Sequence, residues 1–137
     1  MIKTDSTKVR IEFSIFGEGF LPSEITRRLE IAPDNEWIIG EQIPNIKQKR
    51  KETCWSLDTG DQESLDISVQ LSCILKKIMP RKEMLIQIKK DLKVDIKFFI
   101  VIKVENKQSP AIYLGNDVLD FINSIRAELD FDLYIMS

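Results

Sequence analysis

The sequence predicts an α+β domain with a mainly antiparallel sheet and helices packed mostly on one face. Three observations predict it. Residues Lys93 to Glu105 hold the longest unbroken alternation in the chain, with Val94, Ile96, Phe98, Ile100, Ile102 and Val104 on one side, and a period of two is that of a strand. Ser64 to Ile78 instead places Ile67, Leu71, Ile74, Leu75 and Ile78 at helical spacing. The composition, 43% hydrophobic and 31% charged with only five Gly and five Pro, is that of a packed globular chain without a long disordered tract. A length of 137 residues fits one core, so residues 1–137 are read as a single domain.

In chain order, Val9, Ile11, Phe13 and Ile15 alternate with Arg10, Glu12 and Ser14 as a first strand with its odd positions inward. It ends at Gly17-Glu18-Gly19, read as a turn because the spacing fits neither a P-loop nor a dinucleotide fingerprint. Pro22 suits a first helical turn, where its missing N–H costs nothing, and Glu24 puts negative charge at the positive end of the helix. Ile25 and Leu29 face the core, and Ala32-Pro33 closes this helix. Trp37, Ile38, Ile39, Gly40 and Ile43 predict a short strand, and a polar run follows from Pro44. Thr53, Trp55 and Leu57 alternate with Cys54 and Ser56 in a third strand that ends at Asp58-Thr59-Gly60-Asp61.

The helix over Ser64 to Ile78 takes Ser64 or Asp61 as its cap and carries Lys76-Lys77 at its negative end. Met79-Pro80 breaks it, and Met84, Leu85, Ile88 and Leu92 predict a second helix, whose lysines and arginine are its solvated face. The long alternating strand comes next. Its second face reads Asp95, Lys97, Phe99, Val101, Lys103 and Glu105, charged at both ends and apolar at the centre, as expected of a half-solvated central strand of an antiparallel sheet. Residues Asn106 to Pro110 make a turn, and Ala111 to Leu114 a short return strand. Gly115-Asn116-Asp117 starts the last helix, with Val118, Leu119, Ile122 and Ile125 on one stripe. Leu129, Phe131, Leu133 and Ile135, alternating with Asp130, Asp132, Tyr134 and Met136, form a closing strand. Leu21 to Ile25 also lays over Leu114 to Val118 without a gap, with Leu29 on Ile122, which suggests two ferredoxin-like strand-helix-strand halves around one sheet.

The chemistry is bounded more by what is missing than by any motif. There is no histidine, which removes the commonest general base, the Ser-His and Cys-His pairs and most zinc and copper sites. Cys54 and Cys73 are too few for a disulfide framework and too far apart for a C-x-x-C motif, so they are read as reduced structural thiols. A net charge of −2 gives no pull toward nucleic acid or an anionic membrane, and no window reaches the roughly 18 apolar residues of a membrane span. The first residues carry no apolar leader, and a cytoplasmic location is expected. Lys47, Lys49, Arg50 and Lys51 are the one basic cluster. It reads either as a site for phosphate or an acidic partner, or as the solvated loop of a long hairpin.

An opening strand running into Gly17, then Leu21-Pro22-Ser23-Glu24-Ile25-Thr26 with Leu29 and Pro33, the strand Cys54-Trp55-Ser56-Leu57, and the terminal Leu129-Asp130-Phe131-Asp132-Leu133-Tyr134 together resemble a bacterial domain-of-unknown-function family, number 4279. The resemblance spans nearly the whole chain. It implies a small bacterial α+β domain with no assigned activity, and it brings no catalytic residues to carry over.

Three functions follow from the residues. A non-catalytic protein-binding module, which includes an immunity-type toxin neutraliser, is expected from the small size, the lack of catalytic chemistry and the apolar Phe99-Val101 centre, a candidate partner or homodimer contact. A small-molecule or nucleotide sensor would use Trp37, Trp55 and the basic loop. A carboxylate enzyme would rest on Asp130 and Asp132, about 7 Å apart on one strand face and joined by Tyr134. Of these the protein-binding module, with no cofactor and no metal, is preferred, and across the three readings Phe99, Val101, Trp37, Trp55, Asp132 and Tyr134 are the candidate partner- or ligand-binding residues.

Overall fold

The computed structural model describes residues 5–136. At the middle of its sheet lies β1 (Lys8–Gly17), antiparallel on one side to β3 (Thr53–Asp58) and on the other to β5 (Asp95–Val104), so that Phe13 stands between Leu57 and Phe98. The short β2 (Asn35–Trp37) extends the sheet beyond β3, and β6 (Glu128–Ile135) beyond β5, in the order β2-β3-β1-β5-β6. Two residues of β4 (Gln62–Glu63) pair with the start of β1.

The long alternating strand, β5, is therefore internal but not the middle one, and it is antiparallel on one side only. Its other neighbour, β6, runs parallel to it. Parallel neighbours need a crossover, and α4 (Asn116–Ser124) provides it.

Helices α1 (Pro22–Leu29), α2 (Ile67–Ile78), α3 (Lys82–Leu92) and α4 supply buried residues to one cluster with the inward side chains of the strands. On the sheet side the cluster holds Val9, Ile11, Phe13 and Ile15 of β1, Trp55 and Leu57 of β3, and the even-numbered residues of β5. Phe13 and Phe98 meet across the β1–β5 pair with ring centroids 5.0 Å apart and planes tilted by 59°, an arrangement that adds to simple area burial. The other parity of the same strands, Ser14, Ser56 and Phe99 among it, forms the second sheet face, which the helices do not cover.

Two strand-helix-strand units flank the centre, as the internal echo predicts, but they close differently. In β5–α4–β6 the strands are adjacent, whereas β2, antiparallel to β3 and so parallel to β1, is separated from β1 by β3. Several boundaries also shift. Glu30 takes a left-handed conformation (φ 58°) and donates its N–H to the Thr26 carbonyl, which ends α1 before Ala32-Pro33 is reached. The strand expected through Ile43 stops at Trp37, because Gly40 (φ 90°) turns the chain and its N–H bonds the Arg50 carbonyl instead of a strand. Pro80 follows the end of α2 at Ile78, as the sequence predicts, but no loop separates α2 from α3. It lies in a single 3-10 turn (Met79–Arg81) that joins them, its missing N–H falling where the hydrogen-bond pattern changes. Residues 111–114 form no strand, since both edges of β5 are already taken. Ala111 instead exchanges backbone hydrogen bonds with Leu65 and Ile67 at the start of α2.

The cap of α2 is Asp66 rather than Ser64 or Asp61, and its carboxylate accepts from the Ser68 N–H at 2.9 Å and the Ser68 hydroxyl at 2.8 Å. These two bonds, the backbone one first, hold the Asp66 carboxyl below its ordinary value. A depressed folded-state pKa contributes stability above the unfolded value, and that stability is lost as pH falls through the folded one. Asp66→Asn keeps a capping oxygen but cannot titrate. The two proteins are expected to melt alike at neutral pH, with the wild type losing ground as pH drops below the ordinary aspartate range. Thermal melts that stay parallel across that range would contradict the cap.

Candidate functional site

The uncovered sheet face is paved by register. Ser14 on β1 stands between Ser56 on β3 and Lys97 on β5; Glu12 stands between Asp58 and Phe99, and Phe16 between Cys54 and Asp95. Strand residues directly opposite one another share a face, so serines, a thiol and two aromatic rings make a mixed floor. Residues 38–52 leave the end of β2 and fold back over this floor, held by bonds from the Ile39 N–H to the Thr53 hydroxyl (3.0 Å), from the Gly40 N–H to the Arg50 carbonyl (2.8 Å) and from the Ile43 N–H to the Gln48 carbonyl (3.0 Å). Between loop and sheet lies an open cleft of about 570 Å³, within the range of small-molecule sites.

Cations outnumber carboxylates along its lining. Lys49, Arg50 and Lys51 come from the loop and Lys97 from β5, against the carboxylates Glu12 and Glu52. Glu12 is already engaged, by Arg10 at 3.3 Å and by the Ser14 hydroxyl at 3.2 Å. Among the described residues none of the three loop cations has an ion-pair partner, whereas Lys97 reaches Asp130 at 3.9 Å. A chain of net charge −2 thus carries a cleft with an excess of positive charge, where an anion is attracted. The Arg50 guanidinium lies 3.8 Å from the centre of the Trp37 ring, a cation–π contact that fixes the loop's basic arm against the sheet edge. Lys97 stands 5.4 Å from the centre of the Phe99 ring.

The two tryptophans part company here. Trp37 lines the cleft, but Trp55 is fully buried in the core and donates its indole N–H to the Thr26 hydroxyl at 3.0 Å, tying β3 to α1. Phe99 is on the cleft floor, while Val101 is buried at 6% exposure between Arg10 on β1 and Asp132 on β6, with no helix over it. Arg10 in turn pairs with Asp58 at 3.1 Å and approaches Asp61 at 3.9 Å, and Lys103 also binds Asp61 at 2.8 Å, so this end of the face is closed by ion pairs. Asp132 and Tyr134 are exposed on β6, outside the cleft. The Asp130–Asp132 pair faces solvent there, opposite Phe99 and Val101 rather than further carboxylates. Among the described residues no group of three His, Cys, Asp or Glu is placed to hold a metal.

Glu12, Ser14, Phe16, Cys54 and Lys97 also line the cleft, and the sequence predicts none of the five as a site residue. Their only signal is parity: each occupies the outward position of a strand whose alternate residues are core.

Cys54 is buried, and burial pushes its thiol up to about 12, with a Ser14 hydrogen bond pulling the other way. A thiol at that value is neutral near pH 8 and a poor nucleophile. Cys73 is exposed on α2, on the opposite side of the sheet. Iodoacetamide at pH 8 is therefore expected to modify Cys73 readily and Cys54 only after unfolding, read by mass spectrometry of the digested protein. Equal labelling of both in the folded state would contradict the buried, neutral Cys54.

No curated protein and no solved structure matches the chain. Residues 7–136, nearly its whole length, match the family model described as a domain of unknown function, DUF4279, and the chain belongs to that family.

Proposed function

We propose that the chain is a non-catalytic binding module of the bacterial cytoplasm, and that its open-face cleft takes a small planar anion of nucleotide size. The observation that carries this reading is the joining of unpaired basic side chains to aromatic surface in one cleft of fitting volume. Arg50 is held against Trp37, and Phe16 and Phe99 lie on the floor. A ring would rest on the floor, and its phosphate or carboxylate would meet Arg50 and Lys49, where a planar guanidinium can donate two parallel hydrogen bonds. The cleft's thiol is neutral and its Glu12 is already bonded, which leaves Glu52 as the cleft's one carboxylate without a bonded partner among the described residues and supports binding over chemistry. Two unpaired thiols on opposite sides of the sheet fit a reducing compartment.

The test titrates the full chain with adenosine 5′-monophosphate, adenosine and inorganic phosphate, following tryptophan emission. Trp55 is buried and Trp37 is not, so a ligand in the cleft is expected to change emission in the wild type and not in Trp37→Phe. The monophosphate should bind more tightly than either of its parts. No saturable change with any of the three at millimolar concentration, or a change that survives Trp37→Phe, would reject the cleft as the site. Docking of a protein is a second reading, favoured by a different part of the surface, the outer edge of β6.

A further inference from the structure

The geometry points to β6 as a docking edge for an extended polypeptide segment in which apolar and basic side chains alternate. Among the described residues β6 is the last strand at its end of the sheet and pairs with β5 alone. The Met136 N–H donates to the Val104 carbonyl at 2.9 Å. Bonded residues alternate along a parallel strand, so Phe131, Leu133 and Ile135 turn their own N–H and C=O groups outward. That is an unpaired ladder several residues long, of the kind that accepts an added strand.

The side chains of the same residues form an apolar shelf. Phe131, Leu133 and Ile135 stand in register with Ile100, Ile102 and Val104, and therefore on the helix side of the sheet. Their β5 partners are at most 4% exposed, yet they are 41%, 58% and 67% exposed, because the helical layer ends over β5. On the opposite face β6 presents Asp130 and Asp132, and residues 127–137 contain no lysine or arginine.

Charge decides the occupant. A second copy of β6 laid antiparallel across a two-fold axis would set its own Asp130 and Asp132 on the face of the first pair, like charges with no cation from either strand. A segment alternating apolar with basic residues has the complementary pattern. Its apolar side chains extend the shelf over Phe131, Leu133 and Ile135, its lysines or arginines meet Asp132 and share Asp130 with Lys97 at 3.9 Å, and its backbone completes the open ladder. Lys97 of the cleft reaches Asp130, but the shelf, the open ladder and Asp132 lie outside the cleft, so either site can fail without the other.

The test pans a displayed library of random twelve-residue peptides against the immobilised full chain, counter-selecting on Leu133→Arg, and then measures the consensus peptide by calorimetry. The expected consensus alternates apolar residues with lysine or arginine. Its affinity should fall about tenfold or more in Asp132→Lys, as for a lost ion pair replaced by like charges, and equally when the peptide's ladder amides are N-methylated. A library without binders, a consensus that is acidic or lacks alternation, or binding indifferent to N-methylation would overturn the proposal. So would sedimentation equilibrium showing a dimer of the wild type that Leu133→Arg dissociates, since a second copy would then be the occupant.

Discussion

Trp55→Ala is expected to lower folding stability by about 3–5 kcal/mol, the range for removing a fully buried large aromatic side chain. The indole lies in the core between the sheet and α1, with no exposed surface, and its N–H reaches the Thr26 hydroxyl. Its removal leaves a cavity in a strand that pairs on both sides, with β1 and with β2, so the backbone has little freedom to collapse into it. Against a typical stability of about 5–15 kcal/mol, one such change consumes much of the total. Trp55→Phe keeps most of the volume and gives up the hydrogen bond, a loss of about 1 kcal/mol from that bond. Urea unfolding followed by far-ultraviolet circular dichroism separates the two. The midpoint should fall strongly for the alanine variant and slightly for the phenylalanine variant, with the slope unchanged in both. The folded phenylalanine variant should bind ligand as the wild type does, because Cys54 and Ser56, not Trp55, turn toward the cleft side of β3. An unshifted alanine midpoint would mean that the indole is not packed as the structure has it.

The core was legible because burial of one sheet face imposes parity. Val9 to Ile15 and Val94 to Val104 reveal their inward sides through period two, and Ile67 to Ile78 reveals its own through helical spacing. Strand neighbours were not legible, because pairing depends on contacts distant in sequence. Nothing local in β5 says that one neighbour is antiparallel and the other parallel. The same limit hid the cleft. The basic loop contains no aromatic residue, and its aromatic partners arrive from elsewhere: Trp37 from an edge strand, Phe16 through the β1–β3 register, Phe99 through β1–β5. Phe99 and Val101 look equivalent in the alternation, yet only Val101 is closed off, by its place between Arg10 and Asp132. In β6 the alternation is clear, but Phe131, Leu133 and Ile135 are exposed because helical cover is a property of the layer above and not of the strand.

Arg50→Glu is expected to lower the affinity of the cleft for a planar anion by two to three orders of magnitude. Loss of a hydrogen bond between charged partners accounts for about 1.5–3 kcal/mol, and the new carboxylate facing the anion adds about 1 kcal/mol or more of repulsion at contact distance. Arg50→Lys separates charge from shape. It retains the positive charge and loses the planar fork and its close stacking on Trp37, so an intermediate loss is expected. The loop carries little of the core, and Arg50 has no ion-pair partner among the described residues, so the cost to folding should be confined to the cation–π contact, about 0.5–1 kcal/mol at an exposed site. Circular dichroism melts run beside the titrations distinguish two origins of a weakened affinity. A loss that follows the fraction of folded protein would make Arg50 a support of the loop, whereas a loss in a fully folded variant, steeper at low salt than at high salt, would be that of a side chain meeting the anion itself. The order wild type, Lys, Glu in affinity with near-constant melting temperature is what the Arg50–Trp37 geometry requires, and an Arg50→Glu variant that binds the monophosphate as the wild type does would remove the anion from this cleft.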